Sequence, residues 1–227
     1  YPNTPMPPHN LGYTLVGASM LWVGWFGFNA GSAFGANGSA AMAMLVTQIA
    51  TAAAAIGWTA VEWLTHRRPS VLGIASGAVA GLLAITPAPG PCGPGGALVL
   101  GLVAGVVCFF CATRLKRRFG YDDSLDVFGV HAVAGIVGAL LTGPLAAPVL
   151  GGFGSVTDLG LQLWIQFKGV AFTVVYSAIV SWIVLQAVHP TIGPRADEEQ
   201  EQVGPVIALL AERCSNPSSA GRHDPPL

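Results

Sequence analysis

The sequence predicts an all-α polytopic membrane protein with six transmembrane helices. Hydrophobic residues make up 52% of its 227 residues and charged residues only 9%, whereas roughly a quarter of the residues in a soluble domain are charged. Two long segments, 11–61 and 69–113, contain no Asp, Glu, Lys or Arg. Because one crossing of a bilayer takes about 20 apolar residues, each segment is long enough for two helices.

Pro, Gly and charged residues divide the apolar sequence into six spans. The spans are predicted at 11–34, 41–64, 70–87, 95–117, 124–147 and 161–188. Together they form a transmembrane domain over 11–190. Residues 1–10 are predicted to be a cytoplasmic leader, which we expect to be an internal loop of a longer chain. Residues 191–227 are predicted to be a cytoplasmic tail that is partly disordered, because it is rich in Ser, Pro, Gly and charge.

The basic residues predict how the spans are oriented. Arg67 and Arg68 follow the second span and a basic cluster at 114–118 follows the fourth, whereas the other three linkers contain no Lys or Arg. By the positive-inside rule, both basic linkers are cytoplasmic. An even number of spans then places both termini in the cytoplasm. We therefore expect a multi-pass protein of the plasma (inner) membrane.

Glycines recur at four-residue spacing in three of the spans. The first span contains Gly27 and Gly31 and is followed directly by Gly35, the third contains Gly73, Gly77 and Gly81, and the fourth Gly101 and Gly105. Hydrophobicity does not drive helices together in lipid, so small residues at this spacing stabilise the bundle by allowing backbones to approach closely. The pattern predicts tight packing along these spans.

The first span also carries polar and aromatic side chains on one helical face. Trp25, Phe28, Asn29 and Ser32 are spaced i, i+3, i+4 and i+7. An interfacial aromatic belt explains the two rings but does not predict an amide and a hydroxyl beside them. Together the rings and oxygens suit a small cation that is losing its water.

The fifth span contains one histidine, His131, in an otherwise apolar segment. There is no Asp, Glu, Lys or Arg from Val127 to Thr157. An ionisable side chain at this depth is usually functional and faces a bundle interior or a water-filled path. The alternative is a structural histidine bonded to a neighbouring helix. Burial favours the neutral imidazole, which suits a neutral polar solute. Asp123 and Asp126 lie at the start of this span, where carboxylates cap exposed N–H groups.

Several motifs in collinear order resemble the second half of an Amt/Mep-type ammonium transporter. They are Pro8-His9-Asn10-Leu11, Trp25-Phe-Gly-Phe-Asn-Ala-Gly-Ser-Ala33, Thr86-Pro87, Asp122-Asp-Ser-Leu-Asp-Val-Phe-Gly-Val-His131 and Thr191-Ile-Gly with the acidic residues after it. The resemblance implies an eleven-helix fold made of two five-helix inverted repeats and a final helix. This chain resembles the second repeat plus the last helix.

The resemblance also implies roles for individual residues. Ser32, Trp25 and Phe28 are similar to the residues that recruit ammonium at the outer mouth, and Phe28 is similar to a gate phenylalanine. His131 resembles one of two pore histidines, whose partner would lie in the first repeat. Trp25 and Phe28 are also implied to line the pore, together with Asn29 and Thr86. Asp123 and Asp126 are implied as its structural support.

The function that follows from the resemblance is ammonium or ammonia transport through a hydrophobic pore. The implied assembly is a homotrimer, with a PII-type regulator as a partner at the cytoplasmic face. Two alternatives remain: an ammonium-sensing regulatory membrane subunit, and a truncated, non-conducting fragment of a transporter. The sequence predicts no enzyme activity, cofactor, metal site or nucleic-acid partner, because His131 has no nucleophile or second metal ligand at a suitable spacing.

Overall fold

The structure, a computed structural model, describes residues 8–191. Within this range the backbone forms helices and turns, with no β-strand. Most of the predicted leader and almost all of the predicted tail, including the acidic run that begins at Asp197, lie outside the described residues. The chain divides into two compact units, the first ending at Val170 and the second beginning at Ala171.

Six apolar helices follow one another along the chain. They are α1 (Leu11–Gly31), α2 (Gly38–His66), α3 (Val71–Ile85), α4 (Pro94–Phe110), α6 (Val133–Ala146) and α7 (Leu159–Val188). A π-helical turn, π1 (Cys111–Leu115), continues α4 into the short helix α5 (Lys116–Phe119), and a second one, π2 (Val127–Ala132), leads into α6. The prediction of an all-helical, polytopic membrane protein is confirmed.

When π1 and α5 are counted with α4, and π2 with α6, five helical segments are long and apolar enough to cross a bilayer, and α3 is a shorter apolar helix. The third span was predicted at 70–87, but α3 contains 15 residues and extends about 22 Å at 1.5 Å per residue. Pro87 accounts for the early end, because proline has no N–H to continue the helical hydrogen bonds. Thr86 keeps helical dihedral angles and caps α3, with its N–H donating to the Leu83 carbonyl oxygen at 3.3 Å.

Side-chain caps define where the first three helices begin. Asn10 Oδ1 accepts a hydrogen bond from Tyr13 N at 3.1 Å, and Asn37 Oδ1 accepts one from Ala40 N at 2.9 Å. Ser70 Oγ accepts one from Gly73 N, also at 2.9 Å. Each cap satisfies a backbone donor that has no partner inside its own helix.

The core lies where α2 packs against both α3 and α4. The backbone carbonyl of Ala50 on α2 faces Gly81 of α3 and Gly101 of α4, with no room for a Cβ at either glycine. The predicted small-residue packing is therefore confirmed for the third and fourth spans. Among the described residues nothing lies within 4 Å of where a Cβ would stand at Gly27 or Gly31, so the α1 glycines make no such contact here.

The two π-helical turns pack against each other at the end of the bundle that carries the basic residues. Gly129 of π2 lies so close to Ala112 of π1 that an added Cβ would stand 2.7 Å from the Ala112 Cα. Cys108 of α4 is fully buried beside them, with its Sγ 3.9 Å from the carbonyl oxygen of Val130. Helix α4 therefore supports the backbone from which the His131 side chain projects.

Candidate functional site

One stripe of partly or fully exposed side chains along α1 and its C-cap connects two groups of candidate residues. At 100° per residue, its members lie within about 40° of a single line along the helix. They are Thr14, Ala18, Leu21, Trp25, Phe28 and Ser32. We call this set the α1 stripe. From Thr14 to Ser32 the helix rises about 27 Å at 1.5 Å per residue, close to the roughly 30 Å hydrocarbon thickness of a bilayer.

The far end of the α1 stripe brings Trp25, Phe28 and Thr86 together. Trp25 Nε1 donates a hydrogen bond to Thr86 Oγ1 at 2.8 Å, which joins α1 to the end of α3. The Trp25 and Phe28 rings meet edge to face, with centroids 5.8 Å apart. Phe28 remains 61% exposed, so its ring is available to another group.

Ser32 presents an acceptor beside these rings. Its hydroxyl donates to the Phe28 carbonyl oxygen at 2.7 Å, and the side chain is exposed. Because the only hydroxyl proton is used within the helix, the Ser32 oxygen offers its lone pairs outward. An N–H donor is the complementary ligand for this oxygen. Aromatic faces nearby also attract a cation.

Asn29 lies at the edge of the same helical face, where α1 packs against α2. Its side chain is 3% exposed, and Nδ2 donates to Thr47 Oγ1 at 3.0 Å. The Thr47 hydroxyl in turn donates to the Ala43 carbonyl oxygen at 2.7 Å. The Asn29 amide therefore joins two helices, and its burial sets it apart from the exposed Phe28 and Ser32.

Replacing Asn29 with alanine is expected to lower the free energy of unfolding by about 2 kcal/mol. The change removes a buried interhelical hydrogen bond and leaves the Thr47 oxygen without that donor. Thermal unfolding in detergent measures the effect. The matched control is Ser32→Ala, which removes an exposed intrahelical bond and should change stability by less than about 0.5 kcal/mol. Equal losses for the two variants would contradict the buried Asn29–Thr47 contact.

His131 lies at the opposite end of the α1 stripe, on π2. Its exposed imidazole lines a cavity of about 570 Å³ that α1 and α3 also line. Thr14 and Ser76 add hydroxyl groups to the wall, and His9 and Asp126 line the cavity as well. The His131 side chain also borders a second cavity of about 590 Å³, beside Tyr121. The imidazole is thus accessible from two sides.

The two predicted supporting carboxylates have different contacts. Asp123 Oδ1 accepts from Val127 N at 2.7 Å and Oδ2 accepts from Phe128 N at 2.9 Å, so Asp123 caps the first turn of π2. Asp126 makes no cap with its side chain and instead accepts from Lys116 Nζ at 2.7 Å. Burial raises the pKa of the Asp126 carboxyl above its ordinary value, while Lys116 opposes the rise.

Sequence reasoning missed three features of the site: the π-helical turn, the Lys116–Asp126 ion pair, and the position of His9 on the cavity. His131 follows Asp126 by five positions, a spacing that puts two side chains 140° apart in an α-helix. A π-helix closes its hydrogen bonds from i to i+5, so residues five apart come closer to the same face. A periodicity of 3.6 therefore gives no signal for this pair.

Comparison with known proteins identifies the family. Residues 2–213 match the model of the Ammonium Transporter Family. The chain is 48% identical over 200 residues to an ammonium transporter of Aquifex aeolicus, covering 88% of this chain and 47% of that protein. It is 40% identical over 215 residues to an ammonium transporter of Bacillus subtilis, covering 93% and 53% respectively.

Solved structures give the same result. The crystal structure of Candida albicans Mep2 superposes with a TM-score of 0.78 at 32% identity, covering 86% of this chain and 45% of that one. A structure described as a Sensor Amt Protein has a TM-score of 0.82 at 26% identity, covering 88% and 49%. The chain spans about half the length of the relatives it matches. By sequence and by structure, it belongs to the ammonium transporter family.

Proposed function

We propose that this chain forms one wall of a pore that carries ammonium or ammonia across the plasma membrane. The observation that carries the proposal is the α1 stripe, which runs from the aromatic and hydroxyl group at Ser32 to the cavity beside His131. Its length is close to the thickness of the hydrocarbon layer. Membership of the ammonium transporter family supports ammonium as the solute.

The outer end of the stripe is proposed to recruit the cation. Trp25 and Phe28 offer ring faces, and Ser32 offers an acceptor oxygen whose own proton is already donated. Ammonium has four N–H donors and one positive charge, so both features stabilise it. A solute without a donor and a charge gains neither contact.

The segment between the two ends is apolar, which sets the form in which the solute crosses. Leu21, Ala18 and Val79 line the cavity beside His131 and offer no hydrogen bond from their side chains. Carrying a bare cation past such side chains requires desolvation that costs several kcal/mol. Ammonium that gives its proton to water at the Ser32 end crosses as ammonia, which avoids that cost, and the His131 imidazole then provides a donor or an acceptor at the inner end.

A transport measurement tests the proposal. The complete gene product that contains these residues is reconstituted into liposomes, and ammonium-dependent current or uptake is recorded. A saturable signal that is absent from protein-free liposomes is expected. Failure of the correctly folded protein to move ammonium at any concentration would overturn the proposal.

The assembly and orientation follow from the same proposal. We infer a homotrimer with the basic ends of the helices in the cytoplasm, where a PII-type regulator would bind. Arg67 and Arg68 at the end of α2 and the basic residues of π1 and α5 support this orientation by the positive-inside rule. Cysteine labelling from each side of intact cells tests it.

A sensing role is the second candidate. The observation in its favour is the close superposition on a Sensor Amt Protein. A sensor binds ammonium at the Ser32 end without sustained flux, so the two candidates differ in the transport measurement. Saturable ammonium binding in a protein that gives no flux would favour sensing.

A further inference from the structure

The hydrogen bond between Trp25 and Thr86 determines which groups remain free at the Ser32 end of the α1 stripe. Trp25 Nε1 donates to Thr86 Oγ1 at 2.8 Å, and both side chains are half-buried. An indole ring carries a single N–H donor and no acceptor. This contact therefore uses the only hydrogen-bonding group of the Trp25 side chain and directs it towards α3.

The Thr86 hydroxyl proton is also donated within the protein. It goes to the Leu82 carbonyl oxygen at 2.7 Å, so the Thr86 oxygen accepts from Trp25 and keeps one lone pair. Ser32 follows the same pattern, because its hydroxyl donates to the Phe28 carbonyl oxygen. The polar side chains of Trp25, Ser32 and Thr86 thus donate every N–H and O–H to the protein itself. What they can offer to a solute is acceptor oxygens and a ring.

We propose that Thr86 is a positioning residue, which holds the Trp25 N–H so that these three side chains present no donor to a solute. The edge of an aromatic ring is positive and its face is negative, so an N–H turned towards the solute would repel a cation. Ammonium has four N–H donors, a positive charge and no acceptor, and it gains from acceptors and ring faces alone. An anion or a carbonyl compound needs a donor and finds none on these residues. The inference rests on the proposed function and names a residue that sets its selectivity.

The position of Thr86 in the chain makes it a rigid acceptor. Thr86 caps α3 directly before Pro87, and the proline ring restricts the backbone there. The bond to the Leu82 carbonyl oxygen fixes the Thr86 side chain as well. On the other side of the contact, the Trp25 ring meets Phe28 with 5.8 Å between centroids and 62° between planes, an arrangement that ring pairs prefer. A fixed oxygen on α3 therefore orients an aromatic side chain on α1.

The competing interpretation is that Thr86 contacts the solute directly. One lone pair of its oxygen remains, and the side chain is only half-buried. If Thr86 is a direct ligand, losing its hydroxyl weakens ammonium binding whether or not residue 25 carries an N–H. If Thr86 acts through Trp25, the loss matters only while the indole N–H is present. A double-variant comparison separates the two interpretations.

The first measurement follows the Trp25 N–H itself. The complete gene product is labelled with ¹⁵N-tryptophan, and the Trp25 indole signal is assigned by its loss in Trp25→Phe. Thr86→Val keeps a branched side chain but removes the acceptor. We expect the Trp25 indole proton to exchange with water about 10-fold faster in Thr86→Val than in wild type, because the hydrogen bond no longer protects it. Thr86→Ser retains the hydroxyl and should exchange at the wild-type rate.

The second measurement is ammonium transport by the same variants in proteoliposomes. Thr86→Val should raise the KM for ammonium about 10-fold, the effect of one misplaced hydrogen-bonding group, and should leave the maximal rate within about twofold of wild type. Thr86→Ser should keep the wild-type KM. Trp25→Phe retains a ring without an N–H, so adding Thr86→Val to Trp25→Phe should not raise the KM further.

Three results contradict the proposal. An equal rise in KM when Thr86→Val is added to Trp25→Phe would make Thr86 a direct ligand. A lower maximal rate with an unchanged KM in Thr86→Val would indicate a structural role alone. Equal exchange of the Trp25 indole proton in Thr86→Val and wild type would mean that Thr86 does not hold it. Thr86→Ala removes the same acceptor and takes the place of Thr86→Val if the valine variant does not fold.

A second tryptophan of α1 provides the matched control. Trp22 Nε1 donates to Gln48 Oε1 of α2 at 3.1 Å, in an exposed bond between helices, and Trp22 is not a member of the α1 stripe. Gln48→Leu removes an indole acceptor in the same way and should leave the KM for ammonium unchanged. An equal rise in KM in Gln48→Leu would show that loosening α1 is enough, against the proposal. If the wild-type protein carries no ammonium, the proposed function fails, but the Trp25 indole exchange still decides whether Thr86 holds that side chain.

Discussion

Replacing His131 with leucine is expected to reduce ammonium transport by about 100-fold, the size of effect that a positioned proton-transfer group produces. Leucine fills a similar volume but offers no donor or acceptor to a polar solute. The fold should survive, because the His131 side chain is exposed to the cavity and lies outside the apolar core. The loss is therefore expected in transport and not in thermal stability.

Currents from proteoliposomes at several ammonium concentrations measure this effect. His189→Leu is the matched control, since it makes the same chemical change at a histidine that follows the end of α7. Circular dichroism and the unfolding temperature confirm that the His131 variant is folded. If folded His131→Leu transports ammonium as well as wild type, the solute does not pass the His131 cavity. The proposed path along the α1 stripe would then be wrong.

The helices were predictable because apolar length and helix breakers are local properties of the sequence. Most predicted ends lie within a few residues of the observed ones, and Pro94 begins α4 at the position that favours proline. The third span was predicted too long because apolar composition continues to Pro87 although helical hydrogen bonding does not. The π-helical turns were missed because periodicity analysis assumes 3.6 residues per turn.

The side-chain partners were less predictable, since they depend on which helix lies next to which face. The sequence placed Asn29 with Trp25 on one face, and only the packing of α2 shows that the Asn29 amide meets Thr47. The Lys116–Asp126 ion pair was unpredictable for the same reason, since Lys116 lies on α5 and Asp126 directly precedes π2. A carboxylate near the start of a helix is usually read as a cap, and here Asp123 has that role.

The effect of glycine spacing on packing is easier to predict than side-chain partners, because it depends on the contact of one backbone with another. The Ala50 carbonyl of α2 lies between Gly81 and Gly101. A Cβ at Gly101 would overlap that carbonyl oxygen and stand 2.8 Å from the Ala53 Cβ. Neither neighbour is the end of a flexible side chain, so the helices must separate. We expect Gly101→Ala to lower the free energy of unfolding by about 3 kcal/mol, at the upper end of ordinary overpacking.

Gly95→Ala on the same helix gives the matched comparison, with nothing within 4 Å of the added Cβ. Alanine is the better helix former by roughly 0.5–1 kcal/mol, so Gly95→Ala should be neutral or stabilising. The two variants thus differ in sign although the chemical change is the same. Thermal or denaturant unfolding in detergent measures both. If Gly101→Ala is also stabilising, α2 and α4 do not approach at this glycine, and the close packing that supports the His131 turn through α4 is incorrect.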